Sequence, residues 1–332
     1  MVTTFEYIMS ITLKDVARFC GVDTSTVSRA LHNDVRIKES TKQKVQKAAE
    51  RLGYRPNIAA RLLVEGHSHI FWFLVPTVGT SVDSRISEYA SSHAARNGYD
   101  TAIVVHHGNQ TDFERLTNNM GSGLAAGAII NRRDISDISK IHRLVEKKFP
   151  VVFIDVPVDS TNTISITTDN SLASKELVTR CLEAKASRFV LLFDPKRNIV
   201  EQYRYNAALD TIARNGAALI DANDPGAVKD FFNQNGTVAV LASAQSEIQA
   251  FFRSHAVAEP GLTIVAGCFD DWYGEPNPAT TVFVAIQDYR SIAELAVDTL
   301  LGIIQGNKMT PMAPVVTLPI AEYRVVHNHF TT

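Results

Sequence analysis

The sequence predicts two fold types in one chain: an all-α helix-turn-helix head, followed by an α/β core of doubly wound parallel sheets. Two short amphipathic helical patterns joined by a glycine open the chain, and apolar strand-like runs alternate with helical segments after residue 68. Such alternation is typical of parallel sheets covered on both faces. A chain of 332 residues has room for two or three domains.

The composition is that of a globular protein with unevenly distributed charge. Apolar runs such as Ile70–Val75 are too short to span a bilayer, no export signal is recognisable, and the three cysteines are scattered. These features predict a cytoplasmic protein without membrane contact. Residues 10–68 carry 11 Lys and Arg against 6 Asp and Glu, although the chain's net charge is −2. A basic segment on an acidic chain indicates a polyanionic partner, the alternative being a chance excess.

The first helix is predicted after a nine-residue N-terminal tail, which has no hydrophobic period and is expected to be disordered. Translation could start at the first or the last methionine of this tail (residues 1–9). Thr12 can cap the helix, with Asp15 in the capping-box position, and Gly21 can end it in a left-handed turn.

The second helix lies in "VDTSTVSRALHN", residues 22–33, where Asp23 is the predicted cap. Its apolar residues fall on one side: Val22, Val27, Ala30 and Leu31. The N-terminal residues of the second helix of a helix-turn-helix read base edges in the major groove. An Arg side chain can form two hydrogen bonds to guanine, and a Ser or Thr hydroxyl can donate to or accept from several bases. We therefore predict that Thr24, Ser25 and Arg29 read bases. The alternative is an exposed helix face with small polar residues.

A third helix is predicted over Ser40–Leu52, and Gly53 stops it. In the following "YRPNIAARLL", Pro56 breaks the chain and Asn57–Leu63 could form one short helix. Apolar residues on such a segment can unstack a base step in the minor groove, the alternative being an interdomain connector. The predicted head therefore spans residues 10–55, with a hinge and linker over 56–68.

The core, residues 69–332, is predicted as two similar lobes with a cleft at the carboxyl ends of their strands. The predicted strands are Ile70–Val75, Thr101–Val105, Ala128–Ile130, Val151–Asp155, Phe189–Phe193, Val238–Leu241 and Thr263–Ala266. The predicted helices include Ser84–Asn97, Ser171–Glu183 and Tyr203–Asn215. One lobe is expected to hold residues 69–167 with 290–317, the other 168–289 with 318–332.

Catalytic motifs do not support an enzyme. The sequence has neither a G-x-S-x-G elbow nor a P-loop, and no histidine spacing indicates a metal. "GSGLAA", residues 121–126, matches a dinucleotide-binding pattern but follows a helical segment rather than a strand. No cofactor and no metal are therefore expected.

Two segments of the head, "TLKDVARFCGVDTSTVSRALHN" and "TKQKVQKAAERLGYRPNIAARLL", resemble the DNA-binding head and hinge of the lactose-repressor (LacI/GalR) family. In the core, "IFWFLVP", "ARNGYD", "VVFIDVP", "TTDN" and "FDD" resemble the family's motifs at the family's spacing. The resemblance implies a homodimer or tetramer on double-stranded operator DNA, with a periplasmic-binding-protein-like core that binds an effector between its lobes.

The resemblance also implies residue roles. Thr24, Ser25 and Arg29 match base-reading positions. Positions that contact the DNA backbone or place the hinge are matched by Thr12, Thr26, Ser28, Lys38, Thr41, Tyr54 and Asn57. Ala60 and Leu63 match minor-groove residues of the hinge helix. The chain departs from the family at Asp23 and Lys38, which both replace a usual Ser, and Asp23 puts a carboxylate where a phosphate contact is expected.

The effector cleft is implied in the same way. The family's cleft-lining positions are matched by Thr77, Asp155, Arg204, Ser243, Asp270 and Gln287, although Ser243-Ala244 replaces a common Asn-Asp pair. Asp and Arg together suit sugar hydroxyls. The alternative for each charge is a surface or salt-bridged position at a strand end.

The last third of the core most resembles the fructose and sucrose repressor branch, which implies a fructose-containing sugar or a fructose phosphate as effector. In "DPKRN", Lys196 and Arg197 could hold a phosphate, or they could lie in a solvated loop. The sequence thus predicts a sugar-responsive, nucleoid-associated transcription regulator, most simply a repressor of a carbohydrate-utilisation operon. A sugar-binding receptor without a DNA-binding role is the alternative.

Overall fold

The computed structural model describes residues 11–55, 67–158, 160, 163–255, 261–274, 279, 281–306 and 315–327. The chain divides into two compact units, Met1–His67 and Ser68–Thr332. The predicted N-terminal tail and the predicted hinge helix Asn57–Leu63 lie outside the described residues.

Three helices lie in the described part of the first unit: α1 (Leu13–Cys20), α2 (Thr24–Leu31) and α3 (Glu39–Leu52). They pack around Val16, Val27 and Val45, which are fully buried. Gly21 follows α1 with φ +64°, a left-handed conformation that favours glycine. The helix α3 begins one residue before the predicted Ser40 and ends at Leu52 as predicted.

The described residues of the second unit form two six-stranded sheets. The strands of the first are β1 (Ile70–Val75), β2 (Asp100–Val105), β3 (Gly127–Asn131), β4 (Val151–Ile154), β5 (Ile164–Thr168) and β11 (Val315–Leu318). Their order is β11-β5-β4-β3-β1-β2, and all pairs are parallel. We call this sheet and the helices packed on it the first lobe.

The second sheet contains β6 (Ala186–Leu191), β7 (Ala218–Ile220), β8 (Gly236–Leu241), β9 (Leu262–Phe269), β10 (Thr281–Gln287) and β12 (Ile320–His327). Its order is β12-β10-β9-β8-β6-β7. The edge strand β12 is antiparallel to β10, so this sheet is not purely parallel. We call this sheet and its helices the second lobe.

The helices of the second unit are α4 (Ser81–Arg96), α5 (Gln110–Asn119), α6 (Ser139–Glu146), α7 (Asn170–Glu183), α8 (Ile199–Arg214), α9 (Pro225–Phe232), α10 (Gln245–Ser254) and α11 (Tyr289–Ile304). The helix α11 follows a second-lobe strand but packs on α4 and on first-lobe strands. Conversely, α7 follows the first-lobe strand β5 but packs on α8 and on second-lobe strands. The chain therefore crosses between the lobes three times, at Asp169, Asp288 and Pro319.

The predicted fold class is confirmed, and every predicted strand is present. Five strands were not predicted: β5, β7, β10, β11 and β12. Two of them lack the continuous apolar run by which strands were predicted. The strand β5 carries buried Ser and Thr side chains, and β12 is largely exposed at the sheet edge. The helix α8 begins at Ile199 rather than Tyr203, since the Asn198 side chain accepts from the backbone N–H groups of Val200 and Glu201.

Candidate functional site

The exposed face of α2 is the first candidate site. Val27 and Ala30 are buried in the three-helix core, whereas Thr24, Ser25 and Arg29 are exposed. Asp23 caps the helix by accepting from the backbone N–H of Thr26 at 2.8 Å. The face therefore presents two hydroxyl groups and a guanidinium group at the start of the second helix.

Asp23 does more than cap this helix. Its Oδ1 accepts from Ser25 Oγ at 2.5 Å, and its Oδ2 accepts from Thr26 Oγ1 at 2.8 Å. These hydrogen bonds lower the pKa of Asp23 far below its usual range. Both hydroxyl protons are thus directed at the carboxylate, which leaves only oxygen lone pairs for another partner. The sequence indicated the cap but not this second role.

The other predicted DNA-contacting residues of the head differ in their exposure and in their hydrogen bonds. Thr12 donates from Oγ1 and from its backbone N–H to Asp15, at 2.7 and 2.9 Å. Lys38 stands at the N-cap of α3 without a side-chain capping bond. Burial raises the pKa of half-buried Tyr54. Ser28 and Thr41 lie on α2 and α3 with intermediate exposure, and the predicted Asn57, Ala60 and Leu63 lie outside the described residues.

The second candidate site is a cavity of about 360 Å³ between the two lobes of the second unit. The ends of β3, β4 and β9 supply part of its charged lining, as expected where the carboxyl ends of parallel strands face each other, and the helices α8 and α10 supply Glu201, Arg204 and Glu247. Of the predicted residues, Asp155, Arg197, Arg204, Ser243, Asp270 and Gln287 line it. Thr77 and Lys196 are not among the described residues that line it.

In the first lobe, Asp155 forms a buried ion pair with Arg133. Arg133 Nη2 lies 2.8 Å from Asp155 Oδ2, and Asn131 Nδ2 donates to Asp155 and to Asp83 at 3.2 and 2.9 Å. Burial acts to raise the pKa of Asp155, but Arg133, Arg204 and the hydrogen bond from Asn131 together outweigh it, and the pKa is lowered. Burial raises the pKa of Asp83, which is fully buried behind the pair.

In the second lobe, Arg204 is held on several sides. Its Nε donates to Asn170 Oδ1 at 2.8 Å and its Nη1 to Ser243 Oγ at 2.9 Å. Its guanidinium carbon lies 3.7 Å from the centroid of the Phe269 ring, a cation–π distance. This fixes the guanidinium plane against one wall of the cavity.

Asp270 and Gln287 form a connected hydrogen-bond network. Asp270 Oδ1 accepts from Gln287 Nε2 at 2.7 Å and from Tyr289 Oη at 2.6 Å, while Gln287 Oε1 accepts from Thr168 Oγ1 at 2.6 Å. Burial raises the pKa of Asp270 despite these donors. Asp155 and Asp270 both have positive φ, +64° and +72°, a conformation that aspartate tolerates better than most residues.

Several cavity residues were missed by sequence reasoning. Arg133 follows β3 in "NRRD", so its position after a predicted strand could have indicated it. Glu201 and Glu247 lie on helices and carried no such signal. Arg85 of α4 forms an ion pair with buried Asp271 across the lobes at 3.1 Å, a contact that only the folded structure reveals.

The described residues contain no cluster of His, Cys, Asp and Glu suited to a metal ion. None of the helices in the described ranges is both long and apolar enough to cross a membrane.

Comparison with known proteins gives consistent matches. Residues 12–57 match the family model "Bacterial regulatory proteins, lacI family". The chain is 24% identical over 263 residues to catabolite control protein A of Staphylococcus aureus (strain N315), covering 77% of this chain and 80% of that protein.

Solved structures show the same fold. The lac repressor dimer bound to operator and the anti-inducer ONPF matches with a TM-score of 0.74 and 21% identity, covering 96% of this chain and 98% of that one. The Cra transcriptional dual regulator of Pseudomonas putida, in complex with fructose 1-phosphate, matches with a TM-score of 0.67 and 17% identity, covering 78% and 98%.

A helix-turn-helix unit followed by a two-lobed α/β unit with a polar cavity defines the class of ligand-controlled transcription regulators. Within that class, residues 12–57 match the lacI family of bacterial regulatory proteins, and the chain as a whole shares the fold of the solved lac repressor. The family predicted from the sequence is thus confirmed at the head.

The buried ion pair gives a testable prediction. Asp155→Asn should destabilise the protein at pH 7 by about 3 kcal/mol, because Arg133 loses its partner while remaining buried. A carboxyl whose pKa is lowered on folding stabilises the fold fully above its unfolded pKa of about 3.9, and this contribution decreases below that pH and is lost as the pH falls through the lower folded-state pKa. Urea unfolding at pH 7 and pH 3.5 should show the difference from wild type shrinking at the lower pH. An equal difference at both would contradict the ion-pair assignment.

Proposed function

We propose that the protein is a sequence-specific DNA-binding regulator, acting as a repressor of a carbohydrate-utilisation operon, and that a sugar or sugar phosphate in the cavity controls operator binding. The observation that carries the proposal is the exposed face of α2, where Thr24, Ser25 and Arg29 stand opposite the buried Val27 and Ala30. These residue types at the start of a second helix match the chemistry of major-groove reading.

The proposed assembly is a homodimer on a pseudo-palindromic operator. Each head, residues 10–55, would read one half-site, and the hinge segment 56–68 would order on the minor groove with Leu63 as wedge. Phosphate contacts would set affinity and salt dependence, while base contacts would set sequence preference. The regulator would act on the nucleoid in the cytoplasm and carry out no catalysis.

The core supplies the regulatory half of the proposal. Arg204, Ser243 and Asp270 offer donors and acceptors to a polyhydroxylated ligand. A ligand that contacts both lobes would change their equilibrium and hence operator affinity, and operator would change ligand affinity by the same factor. The comparisons favour this regulator over a receptor without DNA binding. If the protein bound a sugar but selected no DNA sequence from random duplexes, the receptor would be the better interpretation.

Arg29 should carry a large share of base recognition. Arg29→Ala is expected to weaken binding to an operator selected from random duplexes by about 1–3 kcal/mol, and to relax the preference at one position of each half-site. Gel-shift titration at fixed salt measures the affinity. Arg18→Ala, which removes an exposed charge from α1, is the matched control and should leave the base preference unchanged. Full retention of affinity and preference in Arg29→Ala would refute the assignment.

Asp23 should oppose DNA binding. Asp23→Ser keeps a capping hydroxyl, removes a charge near phosphate and releases the protons of Ser25 and Thr26. We expect tighter operator binding by roughly 1 kcal/mol and a broader choice of bases at the Ser25 position. Sequencing of selected duplexes together with gel shifts measures both, with Glu50→Gln on exposed α3 as control. Unchanged affinity and unchanged base choice would show that Asp23 is only a helix cap.

Arg204 should be required for ligand binding. Arg204→Lys keeps the charge but loses the planar fork, so we expect at least roughly tenfold weaker binding of any sugar that stabilises the wild type in a thermal-shift screen. Arg214→Lys, at the exposed end of the same helix, is the control. Operator affinity without sugar should stay within about twofold. Equal sugar affinity in both variants would remove Arg204 from the site.

A further inference from the structure

Charge in the cavity lining is unbalanced toward carboxylates. The lining contains five carboxyl groups and three guanidinium groups. The carboxyl groups belong to Asp155, Glu201, Glu247, Asp270 and Asp271, and the guanidinium groups to Arg133, Arg197 and Arg204. An incoming ligand therefore meets more negative than positive side chains.

Two of the three guanidinium groups are already committed to carboxylates at short range. Arg133 lies 2.8 Å from Asp155, and Arg197 Nη1 lies 3.2 Å from Glu247 Oε1. A phosphate ester would have to compete with these carboxylates for the same N–H donors.

The third cation is also engaged. Arg204 donates to Asn170 and Ser243 and lies 4.0 Å from Glu201. Lys196, the other cation expected to hold a phosphate, is not among the described residues of the lining. The lining thus presents paired or hydrogen-bonded guanidinium groups rather than a set of cations waiting for an anion.

The surroundings of the carboxylates resist further negative charge. Burial raises the pKa of Asp270 and of Glu247, and the nearby Glu201 raises the pKa of Glu247 further. A dianion placed among these groups would meet like charge at reduced dielectric. A hydroxyl group can instead accept from a guanidinium and donate to a carboxylate in the same position.

We infer that the cavity takes an uncharged polyhydroxylated ligand, such as a free sugar, and discriminates against its phosphate ester. The inference rests on the proposed function, since it names the effector class of that same cavity. It replaces the expectation that Lys196 and Arg197 hold a phosphate, because Arg197 is paired with Glu247.

The test is isothermal titration calorimetry of the full chain with matched pairs of probes. The pairs are fructose and fructose 1-phosphate, ribose and ribose 5-phosphate, and glucose and glucose 6-phosphate. We expect at least one free sugar to bind, and its ester to bind at least roughly tenfold more weakly, about 1.4 kcal/mol. An ester that binds as tightly as its free sugar overturns the inference, and so does a panel in which no free sugar binds.

Two variants locate the cause of discrimination. Glu247→Gln releases Arg197 and removes one lining charge, so the ratio of the affinity for the free sugar to that for its phosphate ester (the affinity gap) should fall severalfold. Glu146→Gln, on exposed α6, removes the same charge away from the cavity and should leave the gap unchanged. Equal gaps in both variants would contradict the electrostatic explanation.

Failure of the ligand-class inference can be distinguished from failure of the proposed DNA-binding function. Operator selection and gel shifts without any sugar test DNA binding alone. Failure there rejects the regulator, whereas specific operator binding combined with preference for a phosphate ester rejects only the ligand class.

Discussion

The hydrogen bonds of Gln287 connect the cavity to the segments that join the lobes. Its amide donates to Asp270 in the cavity wall and accepts from Thr168 at the end of β5. Gln287 and Thr168 each directly precede a crossing between the lobes, at Asp288 and Asp169. A ligand that contacts Asp270 would therefore be linked through one hydrogen bond to Gln287, beside the crossing at Asp288. A second hydrogen bond continues from Gln287 to Thr168, beside the crossing at Asp169. This short path allows a small change in the cavity to alter the relation of the lobes.

The cavity concentrates ionised groups, and their pairing makes the fold possible. An isolated buried charge costs several kcal/mol, so Asp155 and Arg133 stabilise the first lobe only as a pair. Each guanidinium group of the lining has a carboxylate partner or neighbour, although carboxylates outnumber guanidinium groups there. The same pairing prepares the site for hydroxyl groups, because each guanidinium and carboxylate keeps hydrogen-bonding capacity beyond its ionic partner.

Sequence reasoning recovered the elements whose signals are local. The spacing of Val27 and Ala30 predicted which face of α2 is buried, and the apolar runs predicted seven strands. It failed where the signal is tertiary. Arg85 and Asp271 form an ion pair across the lobes that no sequence spacing indicates. Ser25 donates to the carboxylate of Asp23, for which the sequence indicated only the role of a cap. The roles of the hinge residues on DNA stay predictions.

The ion pair between Arg85 and Asp271 adds a second connection between the lobes. Arg85 also lies 5.6 Å from the ring of Tyr289, and Tyr289 donates to Asp270. The cavity-lining carboxyl of Asp270 and the interlobe ion pair are thus adjacent, since Asp270 and Asp271 share a peptide bond and Tyr289 contacts both Asp270 and Arg85. A movement of one lobe relative to the other would therefore change the surroundings of both groups. Arg85, whose side chain is 39% exposed, is not among the described residues that line the cavity, so a substitution there would perturb the interlobe ion pair without altering the lining.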